Sequence, residues 1–216
     1  MNANSRLGIL AYVCSRSFAF FANKEWWQRL GRTLKYSLYT STHPFDGFWD
    51  LTHEKRGSIA AANIIVVLAV LVEVLRKTLT NFQFVQINME FFNAVIVMMQ
   101  ILLPIFLWTV ANWSLTTLMD GKGRMFEIYM AVAYSLTPFV LINAAMIILS
   151  QFITFDEGAV YWVLAGFAGI WTGILILSGM MMVHDYSLSK TLLSSFLTVI
   201  GMGVMVFIFV VFFSLV

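Results

Sequence analysis

The chain contains little charge and almost no cysteine. Only 11% of its 216 residues are charged, whereas 60% are hydrophobic, and its mean hydropathy is +0.85. A soluble domain of this length needs far more polar surface, so the composition excludes one. Cys14 is the single cysteine, which excludes an intrachain disulfide and is a poor basis for a metal site. The net charge of +2 is too small to indicate nucleic acid as a partner.

Signatures of catalysis are also missing. The sequence has no Gly-x-Ser-x-Gly element, no phosphate-binding loop ending in Gly-Lys-Ser/Thr, and no His-Glu-x-x-His pair. The last four apolar segments contain no Asp, Glu, Lys, Arg or His, whereas ion carriers usually place such a residue at depth. We therefore predict a non-enzymatic protein with no catalytic residue, no cofactor and no bound metal.

Long apolar segments dominate the rest of the chain. A membrane-spanning helix needs about 20 apolar residues, because about 30 Å of hydrocarbon is crossed at about 1.5 Å per residue. Five segments are of this length: residues 58–75, 91–110, 130–152, 160–182 and 192–216. They predict an all-α integral membrane protein, built as a five-helix transmembrane bundle.

The positions of Lys and Arg predict the orientation of this bundle. Eight of them precede the first span, two lie in the loop after the second, and one follows the fourth, against only two on the other side. Loops rich in Lys and Arg stay in the cytoplasm. We therefore expect a cytoplasmic N-terminus and an external C-terminus.

The segment before the spans has an amphipathic pattern over residues 25–39. Trp27, Leu30, Leu34 and Leu38 form one stripe, and the basic residues of this segment fall opposite it. Two interpretations stay open: a cytoplasmic helix lying in the membrane surface on anionic lipid, or a helix packed against the underside of the bundle. Since Pro44 disfavours helix at the preceding residue, we divide the chain into a cytoplasmic segment, 1–43, and a membrane domain, 44–216.

The candidate site residues lie at the predicted cytoplasmic ends of the spans, where they either form an interaction site or hold the loops together. Two glycines in the stretch 120–123 indicate a tight turn between helices. The candidates for this rim are Asp46, Trp49, Lys55, Arg56, Trp113, Asp120, Lys122 and Tyr134.

Two further features concern the shape and packing of the helices. Pro138, inside the third span, predicts a kink, and Ser135 is placed to satisfy a backbone group that the proline frees. Ala165, Gly169 and Gly173 recur every four residues and form a stripe that allows another helix to approach closely. We expect that helix to belong to the same chain, with another subunit as the alternative.

Several of these elements resemble the Yip (Ypt-interacting protein) domain family, in particular its bacterial members, over residues 44–216. The stretch 133–138, Ala-Tyr-Ser-Leu-Thr-Pro, is similar to the family's Gly-Tyr-x-x-Ile/Val-Pro element, and Asn112-Trp113 and Asp120-Gly121-Lys122-Gly123 resemble the bacterial pattern. The Asp-Leu-Tyr-Gly-Pro element of eukaryotic members has no clear counterpart, which weighs against carrying over their Rab GTPase partnership. The resemblance implies a five-span accessory protein of a bacterial plasma membrane, in some cases associated with transport systems.

Three functional hypotheses follow. The first is a scaffold or accessory subunit whose partners are membrane lipid and other integral membrane proteins, or copies of itself, and not nucleic acid. The second is a channel or carrier for a small solute, because a pore for neutral solutes needs no buried charge. The third is a lipid-binding or membrane-shaping protein, which depends on the amphipathic helix.

Overall fold

The regular structure of the chain is helical throughout the part that the structure, a computed structural model, describes: residues 24–84 and 92–215. The helices are α1 (Lys24–Thr42), α2 (Pro44–His53), α3 (Ile59–Leu79), α4 (Ala94–Leu118), α5 (Met125–Ser135), α6 (Thr137–Leu149), α7 (Gly158–His184) and α8 (Leu188–Leu215). The predicted all-α fold is confirmed. Cys14 and the predicted start of the second span at residue 91 lie outside the described residues.

Five helical segments are long and apolar enough to cross a membrane. They are Ile59–Leu79, Ala94–Leu118, Met125–Leu149, Gly158–His184 and Leu188–Ser214. The expected five spans are confirmed, and the chain is an integral membrane protein. Each of the five helices is longer than the segment predicted for it, because polar residues in the last turn of a spanning helix still form helical hydrogen bonds outside the hydrocarbon.

The first span is longer than expected and includes its own charged cluster. Arg76 and Lys77, predicted to lie in a loop, belong to the last turns of α3. Glu73 is buried and accepts two hydrogen bonds from Arg76, at 2.9 Å from Nε and 2.7 Å from Nη2. Glu73 is thus neutralised by a cation on its own helix, as a carboxylate inside a span requires.

Small residues bring the central helices together. Ala61, Ala62 and Ala69 of α3 and Ala131 and Ala133 of α5 have almost no exposed surface. Without a Cβ branch at these positions the helix backbones approach closely, and dispersion contacts then hold the bundle. By contrast, α8 lies at the periphery, with most of its side chains exposed.

The stripe of small residues on α7 does not pack as predicted. An added Cβ at Gly169 or Gly173 would have no neighbour within 4 Å, so the expected contact with a helix of the same chain is wrong at these two positions. Ala165 is only partly buried. The orientation of α7 about its axis turns a different side toward the bundle. That side carries Ala168, Thr172, Leu175 and Gly179.

The third span is interrupted at the predicted place. Helix α5 ends at Ser135, α6 begins at Thr137, and Pro138 lies in the first turn of α6. A proline has no N–H, so the carbonyl of Tyr134, four residues earlier, loses its helical partner. The hydroxyl of Thr137 donates to this carbonyl at 2.8 Å, whereas the Ser135 hydroxyl donates to Ala131. The compensating residue is therefore Thr137 and not Ser135.

Helices α1 and α2 form a hairpin that packs along the bundle. The Tyr36 hydroxyl donates to the carbonyl of Gly47 at 2.8 Å, and an added Cβ at Gly47 would lie 2.7 Å from Cα of Thr40. Only glycine allows the two helices to approach this closely. Near the hairpin turn, Nε1 of Trp171 donates to the Ser41 carbonyl at 3.2 Å.

The depth of this contact decides between the two interpretations of the amphipathic helix. Trp171 is the central residue of the 27-residue helix α7, so the hairpin turn lies level with the middle of a span. Leu30 is buried and Leu34 half-buried against the bundle, whereas Trp27 and Leu38 remain exposed. The helix packs against the bundle, as the second interpretation expects, but along the side of the bundle and not on its underside.

Candidate functional site

Four of the eight predicted rim residues, Lys55, Arg56, Asp120 and Lys122, lie in loops at one end of the bundle, which we call the basic end. It comprises the loop 54–58, the loop 119–124 and the segment 185–187. Lys55, Arg56, Lys122 and Arg124 lie in these loops. The first loop joins α2 to α3, and the other two segments pack against each other.

A buried polar network joins α4, α7 and α8 just inside the basic end. Nε2 of His184 lies 2.8 Å from Oδ1 of Asn112, and the Asn112 amide donates to Oγ1 of Thr198 at 3.0 Å. The backbone N–H of Gly123 donates to Nδ1 of His184 at 3.3 Å. Because Nδ1 accepts, the proton of the neutral imidazole is on Nε2, and Nε2 donates to Asn112. All the polar atoms of the imidazole are thereby satisfied.

The two glycines of the 120–123 turn are needed for space. An added Cβ would lie 2.8 Å from Nδ1 of His184 at Gly121 and 2.7 Å from Cε1 of His184 at Gly123. The residue with positive φ in this turn is Asp120, at 57°, a conformation that Asp tolerates better than most residues. The sequence therefore predicted the turn correctly but assigned the conformational role to the wrong residues.

The loop 119–124 is held against residues 183–186, and we call this contact the loop clamp. Nζ of Lys122 lies 2.7 Å from Oδ2 of Asp185, and the Tyr186 hydroxyl donates to the Met119 carbonyl at 2.9 Å. The Lys122 ammonium holds the pKa of Asp185 below its usual value. Burial raises the pKa of Tyr186, and the negative Asp120 raises it further, so Tyr186 remains a hydrogen-bond donor.

The loop 54–58 is fixed by an ion-pair cluster and by one buried tyrosine. Arg56 contacts Asp50 at 3.1 Å and Glu54 at 2.6 Å. The backbone N–H of Ser58 donates at 3.2 Å to the hydroxyl of Tyr134, whose side chain is fully buried. Lys55 has a positive φ of 52°. Tyr134 therefore acts on the basic end from inside the bundle, by positioning the start of α3.

The remaining candidates lie apart from these two loops. Asp46 and Trp49 are exposed on α2, where the Trp49 ring stacks on His53 with centroids 3.7 Å apart. Trp113 is exposed on α4, whereas its neighbour Asn112 is fully buried, since consecutive helical residues point about 100° apart. The structure thus divides the predicted rim into the loop clamp, the Arg56 cluster with its tyrosine and the outward face of the hairpin, and it leaves Trp113 apart on α4.

Sequence reasoning chose Trp113 where the structure places the buried contact on Asn112. The sequence offered one signal for each partner of this contact. Asn112 is a neutral polar residue near the end of an apolar helix, and His184 is an isolated histidine at the end of the fourth span. Within residues 24–84 and 92–215, no three His, Cys, Asp or Glu residues are grouped so that they could hold a metal ion.

Comparison with known proteins gives one match, to the family model of the Yip1 domain, over residues 38–211. This range includes the first four spans, the fifth span except its last three residues, the loop clamp, and α2 with the end of α1. No curated protein and no solved structure matches the chain.

Proposed function

The chain belongs to the Yip1 domain family, and on that premise we propose that it is a non-enzymatic scaffold or accessory subunit that binds another integral membrane protein. The family is associated with membrane trafficking. The polar groups of the loop clamp are engaged with one another, which favours a structural role for them. A partner would need a different surface, on which polar groups remain available.

The outward face of the hairpin is that surface and carries the proposal. It consists of the exposed residues Tyr39, His43, Asp46, Trp49 and His53, and we call it the hairpin face. The rings of Tyr39 and His43 stack at a centroid distance of 4.7 Å, as those of Trp49 and His53 do at 3.7 Å. Stacking fixes these side chains, so little side-chain entropy is lost when a partner covers them.

Asp46 is the critical residue of the hairpin face. Within the described part of the chain its carboxylate has neither an ion pair nor a hydrogen bond. Asp46 lies in the chain between Ser41 and Phe48. Ser41 is level with the middle of α7, and Phe48 lies beside Gly179, near the end of α7. An unpaired carboxylate facing lipid at such a depth is costly. A partner helix with a cation, hydroxyl or amide beside Asp46 removes that cost.

We propose that the basic end faces the cytoplasm. Eight of the thirteen Lys and Arg residues precede the first span, two lie in the loop 119–124, and Lys190 lies in the first turn of α8 on the same side, as expected of an end that stays inside. A cysteine at Lys122, in a Cys14→Ser background, should react with a membrane-impermeant maleimide in inverted vesicles and not in intact cells. The opposite pattern would reverse the orientation.

Site-specific photo-crosslinking tests the partner surface. Benzoyl-phenylalanine in place of Trp49 or Phe45, both exposed on α2, should yield a crosslink to one defined membrane protein in the native membrane. The same probe in place of Phe207, exposed on α8, is the matched control. Asp46→Ala should abolish the Trp49 crosslink while the protein level stays unchanged.

Equal crosslinking from Trp49 and Phe207 would mean random collisions in the bilayer and would refute the proposal. So would a Trp49 crosslink that Asp46→Ala leaves unaltered. A defined crosslink to a second copy of this chain would identify the partner as the protein itself.

A further inference from the structure

A groove opens between α3, α4 and α5, on residues separate from the hairpin face. Its volume is about 440 Å³, and it is lined almost entirely by apolar side chains, among them Val66, Leu102, Phe106 and Phe126. Ile59 and Phe126 also line a second cavity of about 440 Å³, located at the basic end. The two cavities therefore adjoin at Ile59 and Phe126, one at the basic end and the other in the apolar part of the bundle.

The second cavity is cationic. Lys55 and Arg124 line it, and within residues 24–84 and 92–215 neither side chain forms an ion pair. The acidic residue of the cavity, Glu127, caps α5: its carboxylate accepts a hydrogen bond from the backbone N–H of Arg124 at 2.9 Å. Ser58, which precedes α3, makes no side-chain cap. The mouth of the groove therefore carries two cations against one carboxylate, a net charge of +1 that attracts an anionic group.

A polar group lies inside the groove, one turn below its mouth. Asn63 is exposed and lines the apolar groove, and its Oδ1 accepts a hydrogen bond of 2.6 Å from the Tyr129 hydroxyl. Its Nδ2 donates to no partner in the described residues. From Lys55 through Asn63 to Val66, the groove offers in order a cation, a hydrogen-bond donor and an apolar wall.

We infer that this groove binds one anionic glycerophospholipid, with its phosphate at Lys55 and Arg124, an ester carbonyl at Asn63 and an acyl chain between Val66, Leu102 and Phe106. Charge complementarity at the mouth selects an anionic headgroup over a zwitterionic one. The order of groups along the groove matches the order along the lipid, in which the esters lie directly below the phosphate. A protein helix would match the apolar wall but would leave the two cations without a partner.

Native mass spectrometry of the full-length protein, purified in mild detergent and supplied with equal amounts of phosphatidylglycerol and phosphatidylcholine, tests the inference. The wild type should retain one phosphatidylglycerol. Lys55→Gln and Arg124→Gln should each reduce its retention about five-fold, the effect of one surface charge. Arg32→Gln, which removes an exposed charge outside these cavities, is the matched control and should change nothing.

A further variant tests the apolar part of the groove without changing its charges. Leu102→Trp fills the apolar groove while Lys55 and Arg124 remain, and it should lower retention of phosphatidylglycerol although the cations are intact. Soluble glycerol phosphate should not displace the lipid, because it has no acyl chain.

Three results would overturn the inference. They are equal loss in Arg32→Gln and Lys55→Gln, unchanged retention in Leu102→Trp, and displacement by glycerol phosphate. The first would indicate general surface attraction, the second a lipid held elsewhere, and the third a site for phosphate alone. None of them bears on whether a protein partner binds the hairpin face.

Discussion

His184 and Asn112 form a buried hydrogen bond, with Nε2 and Oδ1 2.8 Å apart, that joins residues 72 positions apart in the chain. The bond fixes the end of α7 against α4, and the same imidazole accepts the N–H of Gly123 in the intervening loop. One side chain therefore links two spans and the loop between the second and third spans. Its removal should affect all three.

Asn112→Leu and His184→Phe should each lower the free energy of unfolding by about 1 kcal/mol, a typical value for a hydrogen bond between membrane helices. Each leaves a buried polar partner unsatisfied, so the double variant should lose less than the sum. Thermal unfolding in detergent measures this. Ser114→Ala, whose hydroxyl donates only to its own helix, is the control. Strict additivity would show that the two residues do not interact.

Gly123→Ala should destabilise the protein by about 1–3 kcal/mol, because the new methyl group would collide with His184 and Val183. Gly169→Ala is the matched control, since an added Cβ there has no neighbour within 4 Å. Its stability should equal or slightly exceed that of wild type, as alanine favours a helix. Similar losses in both variants would contradict the packing described here.

Thr137→Val should cost about 1 kcal/mol, because it removes the hydroxyl that donates to the Tyr134 carbonyl beside Pro138. Ser135→Ala should cost less, because the Ser135 hydroxyl donates to a carbonyl of an intact helical turn. Unfolding curves of the two variants, compared with wild type, distinguish the roles. A larger loss in Ser135→Ala would restore Ser135 as the compensating residue.

The Lys122–Asp185 pair predicts the direction of a pH effect. The folded-state pKa of Asp185 is lowered, chiefly by its hydrogen bond to Lys122 and then by the Lys122 charge. Its contribution to stability is therefore fully present above the unfolded-state value of about 3.9 and falls as pH decreases through the folded-state value.

In Lys122→Met the pKa of Asp185 should rise toward its ordinary value, which a carboxylate titration followed by NMR would detect. Both side chains are exposed, so the change in stability should be small. An unchanged titration of Asp185 would show that the two groups are not paired in solution.

The depth of the hairpin can be tested by cysteine labelling in a Cys14→Ser background. Thr42→Cys and Phe45→Cys, at the hairpin turn, should react much more slowly with an impermeant maleimide than Arg32→Cys. The turn lies level with the middle of α7, whereas Arg29, one turn before Arg32, lies beside the loop 54–58. Equal reaction rates would support the interpretation in which the helix lies in the membrane surface.

Much of the architecture was determined by the sequence alone. Five apolar segments of spanning length sufficed for the five spans, because the free energy of transfer into a bilayer is a sum over local residues. The break in the third span also followed from sequence, since Pro138 lacks an N–H wherever it is placed. Such features depend only on neighbours along the chain.

Tertiary structure decided which polar groups meet. The rotation of each helix about its axis determines these contacts. It pairs Asn112 with His184, brings the hydroxyl of Thr137 to the carbonyl beside Pro138, and turns Gly169 outward. The small rotational differences between alternative packings leave no trace in hydropathy. The same holds for the hairpin, because an amphipathic stripe fits a membrane surface and a bundle side equally well. The contact between Trp171 and Ser41, together with the burial of Leu30 and Leu34, places it along the bundle.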